Sequence, residues 1–215
     1  MRKNILDIIE NCPSEIKKKF IVKNFKKGDK MVKQGFEARH FHILLKGTNK
    51  IYRTSILGTN YLQLIIGPEE IYGELELSNN KPYICTVEAL SDCEVLMVPR
   101  KIYVKWLEID TSFSMFIINK LSSKLYSKIE KSYNDVFYNL EYKFVRLVLN
   151  LYSKNKSDSI LISKELISED LAASIRSINR IINKLKRENI LEYQDGKIII
   201  IDLEKLKNQE VRLLQ

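Results

Sequence analysis

Three arginines and an asparagine, Arg176, Arg180, Asn183 and Arg187, fall on one side of the stretch Ser174 to Arg187 (SIRSINRIINKLKR) if it is helical. At about 100° per residue, Ile175, Ile178, Ile181, Ile182 and Leu185 occupy an arc of roughly 120° on the opposite side. No acidic residue interrupts the segment. A guanidinium is planar, always charged and able to donate two parallel hydrogen bonds, so such a row suits guanine edges and phosphate oxygens. The spacing predicts a helix whose apolar face anchors it and whose basic face meets a polyanion.

The flanking residues predict how that helix is held. Ser163 can cap a short helix over Lys164 to Leu171, and Ala172 to Ser174 form a tight link, with Ser174 capping the next helix. Downstream, Ile190 to Tyr193, Gln194 to Lys197 and Ile198 to Ile200 read as strand, Asp-Gly turn and strand. Helix, turn, helix and hairpin make a winged helix-turn-helix, whose second helix lies in the major groove. Arg176 and Arg180 are expected at base edges, Ser177 and Asn179 beside them at base or sugar. Ser174 is expected at the helix start, with Lys184, Arg187 and the wing's Lys197 on phosphates, which fix register rather than sequence.

The rest of the chain sets the context. Its 215 residues, 45% hydrophobic, suffice for two compact units. The net charge of +9, from 36 basic and 27 acidic residues spread widely, favours a polyanionic partner. No apolar run approaches the roughly 18 residues of a spanning helix, so no membrane partner is expected. Met1 to Cys12 mixes Arg2, Lys3, Asp7 and Glu10 into its apolar residues and does not read as a signal peptide. Three cysteines without paired spacing suit a reducing cytoplasm.

Residues 20 to 100 differ in texture. Short apolar runs alternate with turn signals at Lys26 to Asp29, Lys33 to Arg39, Leu45 to Asn49, Leu57 to Asn60 and Ile65 to Glu70, and six of the 7 glycines lie in this region. The pattern predicts a small rolled antiparallel sheet. Thr111 to Asn134, with an extension toward Phe137, reads as one helix of roughly 36 Å. Phe113, Ile117 or Ile118, Leu121, Leu125, Ile129 and Tyr133 recur on it at spacings of three and four. A small barrel covers only part of such a helix. Ile118, Leu121, Leu125 and Ile129 are therefore expected to pair with a second copy, placing two recognition helices about 34 Å apart on a palindromic operator.

This order of elements resembles the bacterial transcription regulators related to the cyclic-AMP receptor protein and the oxygen sensor FNR, the Crp/Fnr family. The resemblance runs through FKKGDKMVKQG (Phe25 to Gly35), FHILLKGTNKIYRT (Phe41 to Thr54), IYGELEL (Ile71 to Leu77) and CTVEALSDCEVLMVPR (Cys85 to Arg100), and into the helix-turn-helix at Ser174 and Arg180. It implies an α+β fold with an N-terminal cyclic-nucleotide-binding-like β-roll of the jelly-roll type over 1–110. A long dimerisation helix over 111–138 and a C-terminal winged helix-turn-helix over 139–215 would follow. It also implies a cytoplasmic homodimer that binds double-stranded DNA and regulates transcription, with RNA polymerase as a further candidate partner and a small-molecule effector of unknown identity.

The departures from the family pattern carry their own expectations. In cyclic-AMP-binding members a Gly-Glu-Leu and a downstream Arg-Ser pair hold the ribose and the phosphate. Gly73, Glu74 and Leu75 are present, but Tyr83 and Ile84 stand where Arg and Ser would be. These five residues are the candidate effector pocket, and cyclic AMP is not its expected occupant. Lys81 is nearby, although an ammonium does not replace a guanidinium. Cys12, Cys85 and Cys93 are too few for an FNR-type cluster, and they read as structural thiols before a redox pair. Arg176 stands where the family commonly has an acidic residue, which shifts the expected base toward guanine.

Two rival classes have some footing in the residues. His40-Phe41-His42 on a small barrel resembles the metal site of cupin enzymes, but Lys46 lies where a Glu ligand is wanted and a third His is missing. The two histidines read more simply as exposed strand residues. A sensor acting through protein partners would leave the basic helix without a role. No phosphate loop, GxSxG, HExxH or CxxC occurs. The expectation is therefore a regulator and not an enzyme, with no cofactor and no metal.

Overall fold

The computed structural model describes residues 4–213. Arg2 and Lys3 of the N-terminal stretch lie outside the described residues. The chain divides into two compact units, one running to Gly58 and resuming over Gln63–Ser127, the other comprising Thr59–Leu62 and the chain from Lys128.

The first unit begins with two short helices, α1 (Ile5–Glu10) and α2 (Ser14–Lys17). A reciprocal capping box between Asn4 and Asp7 starts α1. Strands follow as β1 (Ile21–Phe25), β2 (Lys30–Val32), β3 (His40–Lys46), β4 (Asn49–Thr54), β5 (Asn60–Ile66), β6 (Ile71–Tyr72), β7 (Thr86–Ala89) and β8 (Cys93–Pro99), with helix α3 (Glu74–Asn79) between β6 and β7. They form two four-stranded sheets, in the orders β1-β8-β3-β6 and β2-β7-β4-β5. This is the antiparallel roll expected from the turn signals.

Two glycines show why the turns fall where they do. A Cβ on Gly47 would stand 2.4 Å from the Asp92 carbonyl oxygen and 2.6 Å from Cys93 Sγ, and at Gly73 it would stand 2.8 Å from the His40 carbonyl oxygen. Both have positive φ, so no other residue fits without strain.

Helix α4 (Arg100–Ile109) and the long helix α5 (Thr111–Phe137) complete the order up to the second unit. An aromatic group joins them to the roll. Trp106 stacks on Phe113 with centroids 3.7 Å apart, and Phe41 and Tyr103 pack against the same ring. Helix α5 runs to Phe137, the longer of the two expected extents. Its apolar residues divide into two sets: Phe113 and Ile117 are buried in the core and Leu121 packs against it, while Met115, Ile118, Leu125 and Ile129 are each at least half exposed.

The second unit contains α6 (Leu140–Asn155), β9 (Ser159–Leu161), α7 (Lys164–Leu171), α8 (Ile175–Arg187), β10 (Leu191–Gln194), β11 (Lys197–Ile200) and α9 (Leu203–Arg212). Strand β9 adds to the hairpin to give the order β10-β11-β9, a third strand beyond the two expected. Its core gathers Phe144, Val145 and Val148 of α6, Ile167 of α7, and Ile178, Ile181, Ile182 and Leu185 of α8.

Candidate nucleic-acid interface

Local signals in the sequence set the helix-turn-helix. Ser163 Oγ accepts from the Leu166 amide at 3.2 Å and Ser174 Oγ from the Ser177 amide at 3.1 Å, so both helices start at their expected caps. Between them Ala172 turns the chain in the left-handed region at φ +49°, and the Ala173 amide donates to the Ser168 carbonyl oxygen at 3.1 Å. The wing turns at Asp195 and Gly196, both with positive φ, as a two-residue hairpin requires.

Helix α8 divides as its sequence suggests, with one correction. Ile178, Ile181, Ile182 and Leu185 are at most 5% exposed, but Ile175 is 40% exposed. Ile175 sits at the first position of the helix, ahead of the turn that packs, so the anchoring arc is a turn shorter than expected.

The basic face is uneven. Arg176, Arg180, Asn183 and Arg187 are exposed, and Ser177 and Asn179 are half-buried at the same surface. Among the described residues neither Arg176 nor Arg180 has a carboxylate within ion-pair distance, and Arg187 Nε donates to the Asn183 carbonyl oxygen at 3.3 Å. Lys184 is different: both Glu141 carboxylate oxygens lie 2.8 Å from its Nζ, and Gln209 of α9 donates to the same carboxylate at 2.7 Å. The partner is 43 residues away in sequence, so no local pattern could have shown it. Lys197 of the wing is exposed. Lys164 lies 4.7 Å from the centre of the Tyr193 ring, and the Tyr193 hydroxyl donates to the Ile162 carbonyl oxygen at 3.0 Å, so the wing is braced against the start of α7.

The roll presents a different chemistry. Glu74 is buried and its Oε1 lies 2.6 Å from Lys124 Nζ of α5. Tyr83 is buried, with its hydroxyl donating to the His40 carbonyl oxygen at 3.1 Å and its ring edge 3.6 Å from where a Gly73 Cβ would stand. Leu75 and Ile84 are each 45% exposed. The structure thus brings Gly73, Glu74 and Tyr83 together inside the roll and turns Leu75 and Ile84 outward.

His42 requires a second correction. Expected as an exposed strand residue, it is 2% exposed and stacked on Tyr72 at 4.5 Å, with Nδ1 unpartnered. Burial, with His40 adding to it, pushes the imidazole down to about 3. Central strand β3 is covered on both faces, which alternation along one strand does not reveal. Among the described residues no three His, Cys, Asp or Glu side chains converge as a metal site would require. Cys12 and Cys93 are buried thiols.

A β-roll followed by a long helix and a winged helix-turn-helix with unneutralised arginines defines a DNA-binding regulator with an N-terminal sensor domain. The sequence model described as "Cyclic nucleotide-binding domain" matches residues 22–110, and that described as "Crp-like helix-turn-helix domain" matches residues 143–209. The "Anaerobic regulatory protein" of Bacillus subtilis is 26% identical over 180 residues, covering 79% of this chain and 75% of that protein. A "CRP-like cAMP-activated global transcriptional regulator" of Mycobacterium tuberculosis is 18% identical over 190 residues, 85% of each chain. A solved regulator of the Crp/Fnr family from Eubacterium rectale superposes with a TM-score of 0.81 at 16% identity, covering 95% of this chain and 97% of that one.

The chain belongs to the Crp/Fnr family and is a DNA-binding transcription regulator with an effector-type sensor domain. Neither the metal-enzyme nor the protein-partner reading gains support from these matches. No helix among the described residues is long and apolar enough to cross a membrane.

Proposed function

We propose that the chain acts in the cytoplasm as a homodimer, without catalytic activity, and reads a palindromic operator through α8. Residues 1–110 would serve as the sensor, 111–138 as the dimerisation helix and 139–215 as the reader of DNA. The observation carrying this reading is the pair Arg176 and Arg180, exposed on a helix whose other face is buried and without a carboxylate partner among the described residues. Arg176 and Arg180 contact guanine edges, with Ser177 and Asn179 beside them. Ser174, Arg187 and Lys197 meet phosphates. Lys184, already held by Glu141, contributes least of the set.

The exposed residues Ile118, Leu125 and Ile129 support pairing of α5 with a second copy, Leu121 lying at the margin of that stripe. Apolar side chains at these spacings lose water when two helices align. Two-fold symmetry then puts half-sites about 34 Å apart. RNA polymerase is the further partner this reading implies. The relative from Mycobacterium tuberculosis is described as activated by cyclic AMP. Here Tyr83 and Ile84 leave a cyclic phosphate without a guanidinium, so cyclic AMP is not the effector.

Selection from a random DNA pool tests the reading and is expected to return a palindrome with guanine at the Arg176 contact. Replacing both Arg176 and Arg180 with Ala should weaken operator binding by about 2–6 kcal/mol, at about 1–3 per bidentate contact, with the circular dichroism and melting temperature unchanged. A folded double variant with undiminished affinity would overturn the assignment.

A further inference from the structure

Helix α5 carries two ammonium groups one turn apart, and both are engaged by carboxylates that bracket the short strand β6. Lys120 Nζ lies 2.7 Å from Glu70 Oε1. Lys124 Nζ lies 2.6 Å from Glu74 Oε1 and 2.7 Å from the Ile71 carbonyl oxygen. The outer pair is partly solvated. In the inner pair Lys124 is 25% exposed, but the Glu74 side chain is only 4% exposed and its Oε2 has no partner among the described residues. A carboxylate removed from water at that depth is costly unless a cation stays beside it. Moving α5 along its axis by half a turn, about 2.7 Å, would take Lys124 out of bonding distance of both acceptors. Glu74 therefore resists small displacements of α5 on the first unit.

Part of the neighbouring interior is taken up by the chain itself. Tyr83 is buried beside Gly73, with its hydroxyl on the His40 carbonyl oxygen. Its backbone is fastened in both directions, the amide donating to the Phe36 carbonyl oxygen at 2.9 Å and the carbonyl accepting from Gly35 at 2.8 Å. Tyr83 is thus a fixed part of the roll rather than a side chain awaiting displacement.

We propose that Lys124 is a built-in cation that clamps α5 to the roll, setting that helix in its DNA-binding arrangement without a small molecule. This rests on the regulator reading above. An effector controls such a protein only by binding one arrangement of the helix better than another. A resident ammonium held against the buried Glu74 supplies that bias permanently, so the sensor domain acts as a fixed scaffold for α5.

The full-length protein and three variants, Lys124→Met, Glu74→Gln and the double substitution, test the clamp by amide exchange over 116–127, melting temperature and affinity for the selected operator. Lys124→Met is expected to melt lower, because it strands a buried carboxylate, and to exchange about tenfold faster in α5. The double variant should recover the melting temperature, yet keep the fast exchange and bind operator about tenfold more weakly than the parent. A double variant with parental exchange and affinity would overturn the clamp.

Parent protein denatured, desalted and refolded to its native circular dichroism spectrum should bind operator as before, with cyclic AMP or cyclic GMP making no difference. A loss of about tenfold that a low-molecular-weight filtrate of cell lysate restores would overturn independence from an effector. The exchange arm involves no DNA. If the parent selects no sequence, the regulator reading fails, and the exchange arm still decides whether Lys124 holds α5.

Discussion

The roll and the helix-turn-helix both carry many cations, but they use them in opposite ways. In the first unit Lys50, Lys120 and Lys124 are each less than one-third exposed and each stands against a carboxylate of its own unit. On α8 of the second unit Arg176 and Arg180 are exposed with no such partner among the described residues, while Lys184 of the same helix is neutralised by Glu141. A cation balanced from within holds structure, and its removal leaves a buried charge behind. An unbalanced cation costs the fold little and remains available to a polyanion. The same distinction sorts the titratable aromatic residues: His42 and Tyr72 are stacked and sealed in the roll, whereas Tyr193 of the wing keeps one edge at the surface.

If that contrast is right, damage to the roll should appear as lost stability and damage to the reading face as lost affinity. The largest effect is expected for Trp106→Ala, which removes a fully buried ring stacked on Phe113. It should cost about 3–5 kcal/mol, seen as faster amide exchange in β3 and β8. Exchange in α8 should stay as it is. Equal loss of protection in both units would break the comparison.

Acid should separate the two units as well. The folded His42 has a value of about 3 against an ordinary 6.5, so the unfolded chain binds the proton first. Stability is therefore full above about 6.5 and falls as the pH drops below it, by about 2 kcal/mol at pH 5. Denaturant melts at pH 7 and pH 5 measure this. His42→Phe, which keeps a ring against Tyr72, should remove most of the difference, and an unchanged pH dependence in that variant would assign the acid sensitivity elsewhere.

The smallest effect sharpens the other side. Ala172 sits in the left-handed region between α7 and α8, where a Cβ costs about 1–2 kcal/mol. Ala172→Gly relieves that strain but loosens the unfolded chain by about 0.4–1 kcal/mol, so a net gain of about 0.5–1 kcal/mol is expected. Thermal melting reads it, and DNA affinity per folded molecule should not move. A loss of affinity would mean that the link itself, and not only the arginines, touches DNA.

The elements most legible in the sequence were those fixed by neighbours a few residues apart. Ser163 and Ser174 mark the starts of α7 and α8 because a cap bonds to an amide three residues on. Asp195-Gly196 marks the wing because only certain residues accept positive φ in succession. The spacing of apolar residues on α5 gave its extent but merged two stripes into one seam, since periodicity reports which residues share a side and not what lies opposite. Ile175 was misplaced for a related reason: it has the right phase but sits beyond the end of the packed surface.

By itself the sequence determined the order of elements, the caps and turns between them, and the basic face of α8, because each depends on residues within a turn or two of one another. Tertiary structure alone decided which charges are spent. Glu141 lies 43 residues from Lys184 and Glu74 lies 50 from Lys124, and only folding brings them within bonding distance. The strength of a charge in a protein depends on what stands beside it and how much water remains, and neither is written in local spacing.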